Sequence, residues 1–213
     1  SETAIALMQL YLQQDRTDLA VQAFQKHAPQ MDRFALSRTY EVFGDVTRAT
    51  GLLEQELHDH PTSIDALWEL SGLLIRHDRG DRAEPLLEHL LELQPNVSNE
   101  IIGSSRRRLA VILAKKQHYR AFQRAVALMD QNTAQSPTLA TDDLRAMSTV
   151  FHFSPQRSDR LVAIELLENV DDRGQMLPED RWQLANLYRE VGLTEKAAPQ
   201  FHRAAASGLV SPA

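Results

Sequence analysis

Apolar and small residues recur along the chain at helical spacing, each time around an alanine. Six such anchor alanines are each followed, four positions later, by an apolar residue. They are Ala20, Ala49, Ala83, Ala121, Ala163 and Ala197. The steps between successive anchors are 29, 34, 38, 42 and 34 positions. Because residues four apart lie on the same face of a helix, the pattern predicts one helix at each anchor.

A second set of apolar positions precedes the anchors by eight to thirteen positions. In the last occurrence these positions are Leu184, Ala185 and Tyr188, a large, a small and a large residue that share one helical face. Runs of β-branched residues and sustained apolar–polar alternation are both missing from the sequence. The sequence therefore predicts an all-α chain of about twelve helices in antiparallel pairs.

Four prolines occur in the same register as the anchors. Pro61 and Pro95 are separated by the same step as Ala49 and Ala83, and each follows an apolar helical stretch, as expected of a proline beyond a helix end. Pro85 and Pro199 each come two positions after an anchor alanine. We expect both to lie in the first turn of a helix, where a missing N–H costs little.

The period and the residue types resemble the tetratricopeptide repeat (TPR), a helix–turn–helix unit of about 34 residues. The resemblance is strong over 30–63, 64–97 and 178–211. The last of these units carries Leu184, Ala185, Tyr188, Gly192, Ala197, Phe201 and Ala204 at the expected places, with Trp182 one place later than the usual Trp. The resemblance implies a TPR-like α-solenoid, a right-handed superhelix of about six antiparallel helix pairs.

We expect one repeat array over 1–213, with units at about 1–29, 30–63, 64–97, 98–136, 137–177 and 178–211. The units at 98–136 and 137–177 are degenerate, because their first helices lack the large–small pattern and their loops are longer; other α-solenoids also fit that stretch. We further expect a fragment of a longer protein, since Ala198 and Ala206 widen the apolar stripe of the final helix. Further helices, or a second copy in a homo-oligomer, would cover this C-terminal helix.

Composition narrows the class of protein. The chain has 213 residues, a net charge of −6 and no cysteine, which excludes a disulfide scaffold, a thiolate zinc site and a cysteine nucleophile. Its apolar runs are too short to span a membrane. We expect a soluble protein with no membrane insertion, in the cytoplasm rather than the periplasm, although the compartment stays open. Arginine outnumbers lysine 19 to 4, which indicates a GC-rich genome. We expect a bacterial protein.

Candidate catalytic groups do not form a site in the sequence. His58 and His60 are two positions apart, so on a helix their side chains point about 200° apart and cannot share a metal. They could share one only if the chain leaves the helix at Pro61, and we expect a solvated helix end instead. Glycines are too widely spaced for a phosphate loop. The pairs Asp142-Asp143 and Glu179-Asp180 suit the first turn of a helix, where negative charge is favourable. We therefore predict no enzyme, no metal and no cofactor.

Charge is concentrated in one segment. Residues 1–97 have a net charge of −8, residues 98–135 of +5 and residues 136–213 of −3. The basic patch consists of Arg106, Arg107, Arg120 and Arg124. It is either a solvated face or a docking site for an acidic segment of a partner protein. Sparse aromatics and the overall negative charge argue against nucleic acid.

The resemblance also implies where a partner would bind. In TPR arrays the first helix of each unit lines a concave groove that receives an extended peptide or a helix. The groove candidates by register are Phe34, Arg38, Trp68, Ile75, Trp182, Asn186 and Arg189. For Trp68 and Trp182, packing between neighbouring first helices is the alternative. The places that bind a carboxylate in the chaperone-binding subgroup hold Ile5 and Gln9, which argues against that ligand.

These observations predict a protein–protein interaction scaffold or adaptor that binds a peptide or helix of a partner through the groove. A regulatory or targeting segment of a larger enzyme or of a secretion or assembly machine is the alternative.

Overall fold

The computed structural model describes residues 2–134 and 139–206. In this part of the chain the structure has twelve α-helices and no strand, which confirms the all-α prediction. The helices are α1 Glu2–Gln13, α2 Thr17–His27, α3 Arg33–Val42, α4 Val46–Asp59, α5 Ile64–Arg76, α6 Gly80–Glu92, α7 Asn99–Lys115, α8 Tyr119–Thr133, α9 Thr141–His152, α10 Arg157–Asp172, α11 Pro178–Glu190 and α12 Thr194–Ala206. A short 3-10 helix, Ala28–Gln30, follows α2.

Each of the six units expected from the sequence contains one pair of consecutive helices, a first helix and a second helix. In five pairs the connection is three residues long, and its middle residue has a positive φ. These middle residues are Asp15, Gly44, Asp78, Gln117 and Gly192. At Gly44 the turn is closed because the N–H of Asp45 donates to the carbonyl of Tyr40 at 2.8 Å, which satisfies a helix-terminal acceptor.

The connection between α9 and α10 differs from the other five. It is four residues long, Phe153 to Gln156, and contains Pro155 rather than a residue with positive φ. Ser154 is buried in this turn, and its hydroxyl donates to a carboxylate oxygen of Asp159. The ends of α9 and α10 are therefore set by side-chain hydrogen bonds and a proline.

The anchor alanines lie in the second helices, and most of them are fully buried. Ala20, Ala49, Ala83 and Ala163 have no exposed surface, and Ala197 is also buried. Ala121 is half-buried; in α8 the buried small residue is Ala125, one turn later. Alanine at these positions lets the two helices of a pair approach closely, because nothing larger than a methyl group separates them.

Serines on the first helices face the anchors. The hydroxyl of Ser37 donates to the carbonyl of Ala49 at 2.9 Å, and that of Ser148 donates to the carbonyl of Ala163 at 2.9 Å. Ser148 lies on α9, in one of the two units whose first helix was expected to lack a small residue. The small residue is present there, but its spacing from the anchor is 15 positions rather than 12. The spacing is longer mainly because Ala163 is the seventh residue of α10, whereas Ala49 is the fourth residue of α4.

Pro85 and Pro199 lie deeper in their helices than the sequence indicates. Both are the sixth residue of their helix, since α6 begins at Gly80 and α12 at Thr194. The expectation of a first-turn position is wrong, because both helices begin earlier than their anchor alanines suggest. At the sixth position each proline removes one intrahelical hydrogen bond.

The helices form two compact units, one ending at Ile101 and the next beginning at Ile102. In the second unit a core cluster joins α10, α11 and α12 through Leu167, Leu184 and Ala197. The expectations about the chain beyond Ala206 lie outside the described residues. Among the described helices, none combines the length and the apolar character that a membrane span requires.

Candidate functional site

The groove candidates of the compact unit that ends at Ile101 lie on α3 and α5. Phe34 and Trp68 are half-buried and occupy equivalent positions in successive units. Arg38 is also half-buried, and its guanidinium is 3.9 Å from the carboxylate of Glu2 on α1. Ile75, near the end of α5, is half-buried. None of these four side chains is fully sequestered in the core.

An ion pair joins the ends of the same two first helices. Arg76 on α5 donates from Nε and Nη2 to the two carboxylate oxygens of Glu41 on α3, each at 2.8 Å. Burial raises the pKa of Glu41, but the hydrogen bonds and the charge of Arg76 outweigh burial and hold this pKa below its usual value. A bidentate pair of this kind fixes the relative position of α3 and α5.

In the second compact unit the groove candidates form one continuous stripe on α11. The side-chain amide of Asn186 donates to the carbonyl of Trp182 at 2.9 Å, and Arg189 donates to the Asn186 side-chain oxygen at 2.8 Å. The ring of Trp182 meets Phe201 of α12 edge to face, with ring centroids 4.9 Å apart. Arg189 lies over the same Phe201 ring, 6.0 Å from its centroid. Trp182 therefore packs on the second helix of its own pair.

The four arginines of the basic patch have different surroundings in the structure. Arg107 is half-buried on α7 and binds the carboxylate of Asp143 on α9 at 3.0 Å and the Ser104 hydroxyl at 2.8 Å. Asn132 of α8 completes the cluster, since its amide donates to Asp143 at 3.0 Å and to the Gly103 carbonyl at 2.9 Å. This cluster holds three helices together, and Arg107 is its cation.

The other members of the basic patch lie elsewhere on the surface. Arg106 is half-buried on α7, whereas Arg120 and Arg124 are exposed on α8 and lie one helical turn apart. Arg120 and Arg124 therefore present positive charge on one face of α8. Arg107 lies on α7 and does not contribute to that face.

A similar cluster joins α9 to α11. Arg145 donates from Nε to Asp180 at 2.8 Å, and Asp180 also accepts the backbone N–H of Leu177 at 2.9 Å. Burial lowers the pKa of Arg145, but Asp180 and Asp142 outweigh burial and raise it above its usual value. Asp143 and Asp180 are each the third residue of their helix, as expected of carboxylates that favour a helix start. Their bonds to arginine additionally connect one first helix to the next.

The second compact unit contains a cleft that the sequence did not indicate. Its volume is about 690 Å³, and it opens between the α7–α8 turn, the α9–α10 turn and the end of α11. The lining residues are Ala114, Gln117, His118, Tyr119, Phe122, His152, Phe153, Ser154, Pro155, Gln156, Arg160 and Glu190. This volume lies in the range of about 300–1,000 Å³ that is typical of ligand sites.

Aromatic rings and one ionic cluster dominate the cleft. Tyr119 is 71% exposed, and the rings of His152 and Phe153 are stacked, with centroids 5.5 Å apart. The carboxylate of Glu190 lies 3.3 Å from His152 Nε2 and 3.8 Å from Arg160 Nε. The cleft therefore combines flat apolar surfaces with charged side chains that already face one another.

The cleft was not predicted from the sequence. The histidines were considered only as metal ligands, and the aromatic residues of this segment were judged too few to form a binding site. The signal was positional: His118, Tyr119, His152 and Phe153 all lie where two paired helices are connected. Turns of stacked pairs lie side by side, so such residues meet even though a whole repeat separates them in the sequence. Among the described residues, no group of three or more potential ligands could hold a metal ion.

Solved structures similar to this chain establish its class as an all-α helical-repeat protein. PilW, a widely conserved type IV pilus biogenesis factor, is 15% identical with a TM-score of 0.66, over 99% of this chain and 94% of PilW. A thermophilic TPR protein from Thermus thermophilus is 18% identical with a TM-score of 0.62, over 81% of this chain and 88% of that protein. MamA from Desulfovibrio magneticus RS-1 is 15% identical with a TM-score of 0.58, over 86% of this chain and 99% of that one.

The chain has the TPR fold, as the resemblance of its sequence predicts. The sequence matches no protein-family model and no curated protein sequence. Identities as low as these define the fold and leave the function to be argued from the surfaces of this chain.

Proposed function

We propose that the chain is a protein-interaction scaffold that binds a peptide or helix of a partner along its first helices. The stripe of Trp182, Asn186 and Arg189 on α11 carries this proposal. Trp and Arg supply much of the binding energy in protein interfaces. Because the three residues are already joined by hydrogen bonds and by Phe201, they lose little side-chain entropy on binding.

The first compact unit supports the same function through Phe34, Arg38, Trp68 and Ile75. These side chains are half-buried rather than enclosed, so each retains surface that a partner can cover. The recurrence of Phe34 and Trp68 one repeat period apart suits a ligand that contacts successive first helices in turn.

Capture of the partner from a lysate of the source cells, with the full chain as bait, tests the proposal. Arg38→Glu and Arg189→Glu should each reduce the captured partner at least tenfold, while the melting temperature and helical signal stay unchanged. Arg48→Glu is the control, since Arg48 is exposed and lies on a second helix. Unfolding of Arg38→Glu would make Arg38 a structural residue, and full capture by both variants would contradict the proposal.

A second candidate is a regulatory or targeting segment of a larger enzyme or of an assembly machine. PilW is a pilus biogenesis factor, which favours the assembly machine over the enzyme. The full-length reading frame distinguishes these alternatives from a free-standing adaptor: an enzyme domain or a membrane segment beside this array would favour the second candidate.

The proposed partner is a protein, and the proposal includes an acidic segment that contacts Arg106, Arg120 and Arg124. It assigns the chain no catalytic role and no cofactor. It also includes self-association through α12, where Ala198 and Ala206 are exposed. Light scattering at several concentrations tests self-association, and a strictly monomeric chain would exclude it.

A further inference from the structure

Arg189 on α11 is held in place within its helix pair, yet it makes no ion pair among the described residues. We propose that Arg189 binds an acidic side chain of the partner and that an apolar side chain of the same partner segment packs on Trp182. The inference rests on the proposed function, since it names the chemistry of the segment that the α11 stripe of Trp182, Asn186 and Arg189 receives.

Two contacts set the position of the Arg189 side chain. Its Nη2 donates to the side-chain oxygen of Asn186 at 2.8 Å, and its guanidinium lies 6.0 Å from the centroid of the Phe201 ring. Asn186 is held in turn, because its amide donates to the Trp182 carbonyl at 2.9 Å. Arg189 is nevertheless exposed, so a ligand reaches it without rearrangement of the helix pair. A side chain that is ordered in advance loses little entropy on binding.

The carboxylates that lie on or against α11 are bound to other side chains. The pairs are Asp180 with Arg145, Asp171 with Arg181, Glu190 with His152 and Glu168 with Tyr188. Arg181, the other arginine of α11, is thus neutralised within the fold, whereas the described residues supply no carboxylate to Arg189. Charge complementarity at this position therefore favours a negative group that the partner supplies.

The guanidinium of Arg189 has donors left for such a group. An arginine carries five N–H donors in a planar fork, and among the described residues the Arg189 side chain donates only to Asn186. Two parallel N–H groups of the fork match the two oxygens of a carboxylate, which a single neutral carbonyl does not offer. The donor set therefore favours an acidic side chain over a neutral polar one.

The spacing of the stripe predicts where an apolar residue lies in the partner segment. Trp182 and Arg189 are seven positions apart, which is about 10 Å along a helix axis. An extended chain covers that distance in about three residues. Trp182 is half-buried and meets Phe201 with the edge-to-face geometry described above, so it retains surface for an apolar side chain. The partner segment therefore carries an apolar and an acidic residue three positions apart.

Shifts of the ¹⁵N-labelled full chain, titrated with a capped eight-residue peptide, test the proposal. The probe is Gly-Ser-Leu-Ser-Ser-Glu-Ser-Gly, in which leucine and glutamate are three positions apart. We expect it to shift the indole N–H of Trp182 and the backbone amides from Trp182 to Arg189. A peptide with glutamine in place of glutamate should bind about tenfold more weakly, because it loses a charge-assisted hydrogen bond. A peptide with glutamate directly after leucine should also bind more weakly.

Variants of the chain separate the charge of Arg189 from its position. Arg189→Gln should abolish the preference for the glutamate peptide, and Arg189→Lys should restore only part of it, because lysine lacks the planar fork. Asn186→Ala should reduce the preference, since Asn186 positions Arg189. Arg48→Gln is the matched control, because it removes an exposed arginine of the other compact unit, and it should leave binding unchanged.

The outcomes distinguish this inference from the proposed function. Equal binding of the glutamate and glutamine peptides, no shifts on α11 at millimolar peptide, or an unchanged preference in Arg189→Gln would each overturn the role of Arg189. Tighter binding of a phosphoserine peptide than of the glutamate peptide would overturn the choice of a carboxylate. Capture of the partner and its loss in Arg38→Glu would still support the proposed function in those cases, because that function does not require an acidic residue at Arg189.

Discussion

At the scale of single residues, the size of the side chain at each helix crossing decides how closely a pair packs. Ala49 and Ala197 are buried where the second helix meets the first, and Ser37 reaches the Ala49 carbonyl at 2.9 Å. A hydrogen bond of that length leaves no space for a larger side chain between the two backbones. The close approach is therefore a property of particular small residues rather than of the helix pair as a whole.

Replacement of these alanines by a large residue should destabilise the fold. We expect Ala49→Trp and Ala197→Trp each to reduce the free energy of unfolding by about 1–3 kcal/mol or more, because overpacking forces backbone shifts. Ala134→Trp is the matched control, since Ala134 is exposed just after α8. Urea denaturation measures all three, and equal destabilisation at the three positions would contradict the assigned packing.

At the scale of helices, three ion pairs each connect one first helix to the next first helix at nearly the repeat spacing. Glu41 and Arg76 are 35 positions apart, Arg107 and Asp143 are 36 apart, and Arg145 and Asp180 are 35 apart. Asp143 and Asp180 are buried, so loss of an arginine partner leaves a buried carboxylate without its main hydrogen-bond donor.

Arg145→Ala should therefore reduce stability by about 1.5–3 kcal/mol, the contribution of hydrogen bonds to a charged group. Arg48→Ala is the control, because Arg48 pairs with Asp45 at 3.4 Å while 68% of its side chain is exposed. Exposed pairs contribute about 0–1 kcal/mol. Chemical denaturation distinguishes the two variants, and an equal loss in both would show that the contact between α9 and α11 does not depend on Arg145.

The Glu41–Arg76 pair should make stability depend on pH. The pKa of Glu41 is lower in the folded chain than in the unfolded chain, so the pair stabilises the fold fully above the unfolded value of about 4.3. This contribution is lost as the pH falls through the lower, folded value. We expect Glu41→Gln to be less stable than wild type at pH 7 and the difference to shrink as the pH falls below the unfolded value. Urea denaturation at each pH measures the difference in the free energy of unfolding. A difference that does not change with pH would contradict the role assigned to the Glu41–Arg76 pair.

Helix pairing could be predicted from the sequence because alanine spacing and large–small pairs recur in every clear repeat. The small residue Ser148 was missed because its anchor, Ala163, is the seventh residue of α10 instead of the fourth, which lengthens the spacing between the two residues. Pro85 and Pro199 were misplaced because the anchor alanine is the fourth residue of α6 and α12, not the first. The partners of Arg107 and the cleft at Tyr119 depend on contacts between different helix pairs, which a local pattern does not encode.

At the scale of the whole molecule, one basic segment of the chain lies between two acidic segments. Residues 98–135 carry a net charge of +5 within a chain of net charge −6. Arginines of this segment differ in their surroundings, since Arg107 is bound to Asp143 whereas Arg120 is exposed at the start of α8. Net charge alone does not distinguish an arginine that holds helices together from one that faces solvent.

This difference predicts opposite behaviour for two arginines of the same segment. Arg107→Ala should reduce the free energy of unfolding, because Asp143 then loses its cationic partner. Arg120→Glu should leave stability unchanged and weaken the binding of an acidic partner segment. If the exposed arginines contact such a segment, wild-type affinity should also fall as salt rises, since exposed charges are screened beyond about 10 Å at 0.1 M salt.

Urea denaturation measures the effect on stability, and isothermal titration with the captured partner at several salt concentrations measures the effect on affinity. Arg48→Glu, in the other compact unit, controls for the change of net charge alone. If affinity is independent of salt and Arg120→Glu does not alter it, these arginines form a solvated face and the partner binds elsewhere. Equal stability of Arg107→Ala and wild type would likewise contradict the role of Arg107 in holding α7 to α9.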